Sequence, residues 1–232
     1  MVASISARGN AASASRYYSH LQRDDYYSRD GEPPGRWAGK GAERLSLNGP
    51  VTQTEFDAAL RGIDPKTAER LAQLGGREHS AGWDMTFSAP KSVSVLWALS
   101  EAPERQMIAH AHRTAVLAAS ARLEATAGWA RRGRAGATRE QTAGLLMAQF
   151  DHHTSRESDP QLHTHSFIFN LAPRRDGSWG AIVSRELYKA QKQAGATYRQ
   201  ALALELERQG IRLEREKDTF RVAAIPDHVE RA

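Results

Sequence analysis

Residues 82–88, GWDMTFS, alternate between apolar and polar side chains. Trp83, Met85 and Phe87 fall on one face and Asp84, Thr86 and Ser88 on the other, which is the period of a strand. Residues 142–152 and 162–170 read as two more strands joined by a polar loop around Pro160, and 219–225 as a last one. Between them the period changes to that of a helix. A short strand near Val2–Ser6 precedes a helix from Asn10, an N-cap type, through Arg23, and GEPPG at 31–35 breaks the chain. Thr52 followed by Glu55 predicts a capping box and a helix to about Arg61. Ser88 and Pro90 open a helix whose buried stripe is Val93, Leu96 and Trp97, and an alanine-rich helix runs from about Glu104 to Trp129. A further helix over about 185–209 carries Ala194, Tyr198, Ala201 and Leu202 at helical spacing, with Gly210 placed to end it. Strands interspersed with helices predict an α+β fold with a central antiparallel sheet flanked by helices.

The length, 232 residues, suits one domain over 1–232, and the chain shows no internal repeat, low-complexity tract or linker. The 40% apolar and 25% charged residues are those of an ordinary globular protein. There is no cysteine, so a disulfide framework and thiolate metal ligands are excluded, and any metal has to be held by histidine and carboxylate. The N-terminus lacks an apolar signal core, and the longest apolar run, VSVLWAL at 93–99, is too short for a bilayer. A soluble, cytoplasmic protein with no membrane insertion is expected. The formal charge is +5, and 26 of the 32 basic residues are arginine, whose fork matches phosphate. That balance suits a polyanionic partner, although it also serves a solvated surface. The stretch RRGRAGATR, with Arg131, Arg132, Arg134 and Arg139, reads as a loop that either grips phosphates or simply connects two elements.

Four of the nine histidines lie within fourteen residues, in FDHHTSRESDPQLHTH. On a strand, residues two apart share a face, so His163 and His165 point the same way as Phe167 and Phe169, into the core. On the preceding strand His152 is in phase with Phe150, Ala148 and Leu146, whereas His153 is in phase with Asp151 and Gln149. Pairing the two strands as a hairpin brings His152 to His163 and His165 and turns His153 away. Three imidazoles at the mouth of an apolar face predict a divalent metal site (Mg, Mn, Zn or similar) with positions left open for substrate. The alternative is three core histidines, each bonded to a backbone carbonyl. His110 and His112 repeat the spacing on a helix, where residues two apart diverge by roughly 200°, so they are not expected to chelate together. Asp84 is either a carboxylate that orients a ligand histidine or a surface aspartate at a strand edge; spacing alone favours the surface.

Four of the six tyrosines stand in two doublets, Tyr17–Tyr18 and Tyr26–Tyr27, within eleven residues, flanked by Arg16, Arg23, Asp24 and Asp25. The flanking charges place at least one ring of each doublet near solvent. A phenol, with a free pKa of about 10, is a weak nucleophile at neutral pH unless its target is activated.

The two doublets, DMTFSAPKSVS at 84–94 and HHTSRESDPQLHTH at 152–165, with GKGAERL at 39–45 and DGSW at 176–179, together resemble the relaxase domain of MobF-type conjugative relaxases, members of the HUH endonuclease superfamily. The resemblance extends to about residue 225. It implies a metal-dependent DNA strand transferase that nicks one strand at a plasmid transfer origin and becomes joined to the 5′ phosphate. Carried over by position, it makes His152, His163 and His165 the metal ligands and Asp84 the acid that orients a ligand histidine or assists tyrosine deprotonation. It makes Tyr17 the nucleophile of first cleavage and Tyr26 that of the later step, with Tyr18 and Tyr27 as alternates. Its partners would be single-stranded and hairpin DNA of the transfer origin, contacted by Lys91, Arg131, Arg132, Arg134 and Arg156, and other transfer-complex proteins in the full-length context. No nucleotide cofactor is expected, because one phosphodiester is traded for another and Gly39-Lys40-Gly41 lacks the Walker pattern. Since such relaxases continue into a helicase domain, the chain reads as an N-terminal fragment. The alternatives are a rolling-circle replication initiator, in which the tyrosine follows the histidine motif; a metal hydrolase using activated water; and a non-catalytic DNA-binding module.

Overall fold

The computed structural model describes residues 3–21, 33–72, 80–133, 136–155, 157 and 159–230. Its elements run β1 (Ala3–Arg8), α1 (Ala11–Leu21), β2 (Arg36–Ala38), α2 (Lys40–Arg44), α3 (Gln53–Leu60), β3 (Gly82–Ser88), α4 (Lys91–Leu99) and α5 (Ala102–Ala127). They continue with β4 (Trp129–Arg132), β5 (Thr138–Gln141), β6 (Met147–Thr154), β7 (Pro160–Phe169), β8 (Ala172–Pro173), β9 (Trp179–Gly180), α6 (Ser184–Arg208), β10 (Leu213–Glu216), β11 (Thr219–Val222) and α7 (Asp227–Glu230). The central sheet has the order β1-β3-β7-β6-β2, and every neighbouring pair is antiparallel.

Local chemistry sets the helix ends. Asn10 Oδ1 accepts from the Ser13 N–H at 3.0 Å at the head of α1. Thr52 and Glu55 close a capping box on α3, each side chain taking the other's backbone N–H. Gly210, at φ +82°, follows α6 in the left-handed conformation that glycine adopts without steric cost. In the GKG motif a Cβ on Gly41 would lie 2.7 Å from the Leu145 carbonyl oxygen, which the Gly41 N–H bonds at 2.8 Å, so the motif brings two backbones together.

Both faces of the sheet are covered. One carries Met85, Phe87, Met147 and Ile168 against α5 and α6. The other carries Ala148, Phe150, Phe167 and Phe169, and packs on Tyr18 of α1, Phe56 of α3 and Trp37. The faces therefore differ in what covers them, and neither is solvated along its length. This corrects the expectation for Asp84, which is 1% exposed. The run around Arg131 is also more ordered than a loop: residues 129–132 and 138–141 pair as a hairpin, and 213–216 pairs with 219–222 as another.

Candidate functional site

The register of the sheet assembles the histidines. His152 is directly opposite His163, and Phe150 opposite His165, so the three imidazoles lie on one face at one end of the β6–β7 pair. Their ring centroids are 5.1 to 5.4 Å apart. His152 is buried, whereas His163 and His165 are half-exposed, as side chains at a mouth should be. His153 points away and stacks on Trp97 of α4, centroids 4.4 Å apart. Among the described residues no three His, Asp or Glu side chains already surround a common point at ligand distance. The rings of His152 and His163 lie 27° from parallel.

Two of the rings are oriented through their second nitrogen. His165 Nδ1–H donates to Asp84 Oδ2 at 2.8 Å, with the Thr86 hydroxyl 3.2 Å from the same nitrogen. His163 Nδ1–H donates to the Gln161 carbonyl at 2.8 Å. In both cases Nε2 is left with its lone pair, the tautomer a metal ligand needs. Asp84 also takes Arg8 Nη2 at 2.5 Å. Burial alone would raise the Asp84 pKa; the His165 N–H and the Arg8 guanidinium outweigh it and hold the carboxyl below its ordinary value. It is a carboxylate at neutral pH.

The tyrosine doublet divides. Tyr17 is half-buried, its hydroxyl 3.5 Å from Asp84 Oδ2 and its ring 6.2 Å from that of His165, centroid to centroid. Tyr18 is 1% exposed among Phe56, Phe150 and Phe167, and burial pushes its phenol well above the ordinary value. Adjacent helical residues diverge by about 100°, so one ring enters the core and the other faces the imidazoles. Tyr26, Tyr27, Arg134 and Arg156 lie outside the described residues. Lys91 opens α4 three residues beyond Ser88, which is opposite His163, and so sits at the same end of the sheet. Arg132 is bound to Glu140 and Asp176, and Arg139 to Glu186. Arg131 is exposed on the β4–β5 hairpin, opposite Arg139.

Arg8 and Thr86 join the site without having been singled out from sequence. The signal for Arg8 was present: Ser4, Ser6 and Arg8 alternate with Ala3, Ile5 and Ala7, so Arg8 ends the polar face of an edge strand.

A family model described as TrwC relaxase matches residues 11–232, nearly the whole chain. The chain belongs to the TrwC relaxase family. Among relatives of the chain is the multifunctional conjugation protein TraI of Escherichia coli strain K12, 36% identical over 221 residues, covering 91% of this chain and 12% of that protein. A second Escherichia coli TraI is 38% identical over 187 residues, covering 80% of this chain and 10% of its own length. The chain thus spans about an eighth or less of these relatives. Among solved structures it is similar to the conjugative relaxase TrwC in complex with oriT DNA in a copper-bound form, with TM-score 0.84, 36% identity, and coverage of 98% of this chain and 78% of that one. It is likewise similar to TrwC complexed with a 27-mer DNA comprising the recognition hairpin and the cleavage site, at TM-score 0.81, 33% identity, and coverage of 99% and 77%. The α+β architecture of the chain is that of these structures. No helix among its described residues is long and apolar enough to cross a membrane.

Proposed function

We propose that this chain nicks and rejoins one strand of DNA at a plasmid transfer origin through a covalent 5′-phosphotyrosine on Tyr17, and so initiates conjugative transfer. The observation that carries the reading is the convergence of the Tyr17 hydroxyl, Asp84 and the three imidazoles on one face at one end of the sheet. Support comes from the relatives: TrwC has been solved with oriT DNA and in metal-bound form.

The donor set fits a divalent ion. His152, His163 and His165 would hold it, since all three share a face and the Nδ1–H bonds of His163 and His165 put the lone pair of each ring on Nε2. Such an ion, when bound, supplies positive charge to the non-bridging oxygens of the scissile phosphate.

The residues of the chain do the rest. The Tyr17 oxygen attacks phosphorus, the bond to the 3′ oxygen breaks, and the phosphate passes to tyrosine while the 3′ oxygen leaves and takes a proton from water to become a hydroxyl. Asp84, 3.5 Å from the phenol and ionised, is placed to take its proton. One phosphodiester replaces another, so the reverse reaction needs no nucleotide. We infer that Tyr26 serves the second transfer, that hairpin and single-stranded DNA are both bound, and that the reaction belongs to the bacterial cytoplasm, where plasmid DNA resides. In the longer relatives' context other transfer proteins and a helicase would act with it.

Incubation with single-stranded transfer-origin DNA and Mn or Mg tests the reading. A covalent protein–DNA species should form at the 5′ end created by the cut and vanish in Tyr17→Phe. His163→Ala should lower metal affinity and cleavage far more than DNA affinity, which phosphate contacts elsewhere dominate. Cleavage that survives Tyr17→Phe without an adduct would instead establish a hydrolase.

A further inference from the structure

Arg8 ends the edge strand β1, opposite Gly82 and one diagonal step from Asp84. Its guanidinium carbon lies 3.8 Å from the centroid of the Tyr17 ring, a stacked cation–π contact, while its Nη2 bonds Asp84 Oδ2. The same carboxylate oxygen takes His165 Nδ1–H. One side chain therefore touches the ring of Tyr17 and the carboxylate that its hydroxyl faces. Among the described residues the buried Nε of the same guanidinium meets no acceptor. Tyr18 and His165 meet the same ring edge-on, at 84° and 81°. A planar cation lying over the face of the ring limits its swing about χ1, the rotation that carries the hydroxyl.

We propose that Arg8 is a positioning residue for DNA cleavage: by stacking on Tyr17 and tying down Asp84 it sets the angle and reach of the phenol toward the phosphorus. The proposal rests on Tyr17 being the nucleophile. It places Arg8 in the orientation of the attacking group and distinguishes it from an arginine that only adds affinity for the strand. Arg8→Met keeps the length and loses the charge; Arg8→Lys keeps the charge and loses the planar face.

The test measures single-turnover adduct formation at saturating DNA and Mn, with DNA affinity measured separately. Misplacing a reacting group by an ångström costs on the order of 100-fold. Arg8→Met should therefore slow the saturated rate by about 100-fold while DNA affinity falls by no more than about threefold, and Arg8→Lys should recover only part of the rate. A saturated rate unchanged in Arg8→Met, with weaker DNA binding, would make Arg8 a phosphate contact and overturn the proposal; so would full rescue by lysine. A readout that needs no cleavage separates this failure from failure of the Tyr17 assignment. In DNA-free protein with ring-labelled tyrosine, the Tyr17 signals, identified by their loss in Tyr17→Phe, should shift in Arg8→Met while those of Tyr198 stay in place. Unmoved Tyr17 signals would show that the stack does not hold the ring.

Discussion

One oxygen of Asp84 collects Arg8 Nη2 at 2.5 Å, His165 Nδ1 at 2.8 Å and the Tyr17 hydroxyl at 3.5 Å. A carboxylate that is 1% exposed is tolerable only because two of these partners are a cation and a ring N–H. Asp84→Asn keeps an acceptor and removes the charge, so it should leave the fold intact and weaken binding of Mn at the imidazoles by roughly 10–100-fold, the usual effect of losing the partner of a ligand histidine; calorimetric titration measures it. Unaltered metal affinity would separate Asp84 from the metal site. The acid side gives a second expectation. The folded pKa of Asp84 is below the unfolded value of about 3.9, so its contribution to stability is complete above that value and is lost as pH falls through the folded one. Urea unfolding between pH 5 and pH 2 should show wild type losing more stability than Asp84→Asn. Alternation assigned Asp84 to the correct face of its strand but could not say that the face is covered. The cover comes from α1 and α3, which are distant in sequence.

At the scale of the element, β6 and β7 present two different surfaces. One bears the imidazoles and the aromatic core; the opposite one bears a buried polar chain that locks the two strands to their neighbours. Tyr198 of α6 donates its O–H to His112 Nδ1 at 2.7 Å, and His112 Nε2–H donates to the Thr164 hydroxyl at 2.8 Å. That hydroxyl donates in turn to Asp151 at 2.6 Å, and Arg36 of β2 completes the chain at 2.5 Å. The sequence of donors requires neutral His112, and burial lowers its pKa to about 3. Between that value and the unfolded 6.5 the unfolded chain binds a proton that the native one refuses, so stability falls as pH drops through this window, by about 2 kcal/mol at pH 5. Denaturation at pH 7 and pH 5 should reveal this loss in wild type and not in His112→Gln; an equal loss in both would refute it. Thr164→Val breaks the chain between His112 and Asp151 and should cost about 1–3 kcal/mol at pH 7. The long elements were legible in the sequence because their period repeats: β3, β7, α5 and α6 lie within a few residues of expectation. The strands β2, β8, β9 and β10 span two to four residues, too short to show a period; β2 is defined by its remote partner β6, and the others by short local hairpins. His112 was set aside as half of a helical pair that cannot chelate, and its true partners come from two other elements.

For the whole molecule the question is how a net charge of +5, mostly arginine, divides between holding the fold and holding DNA. Much of it is already spoken for. Arg132 is bound by Glu140 at 3.0 Å and Asp176 at 2.7 Å, Arg139 by Glu186 at 3.1 Å, and Arg36 by Asp151. The hydrogen bonds to Ser178 and Arg132 bring Asp176 down to about 2, so this acceptor stays charged at any working pH. A guanidinium held by two carboxylates gains little from a phosphate, since the new contact replaces old ones. Lys91 differs: it is half-exposed and opens α4 at the end of the sheet where the imidazoles lie. Each phosphate neutralised on a single strand contributes about 0.7 to the slope of log affinity against log salt. Binding of transfer-origin DNA, followed by anisotropy across a range of KCl concentrations, should therefore weaken linearly on that plot. Lys91→Ala should reduce the slope by about one phosphate's worth. Arg132→Ala should leave the slope nearly unchanged, because Arg132 is already held by Glu140 of its own hairpin and by Asp176 between β8 and β9. A slope indifferent to Lys91 and sensitive to Arg132 would move the DNA path from the imidazole end of the sheet to the β4–β5 hairpin, and a flat salt response would remove phosphate contacts as the source of affinity altogether.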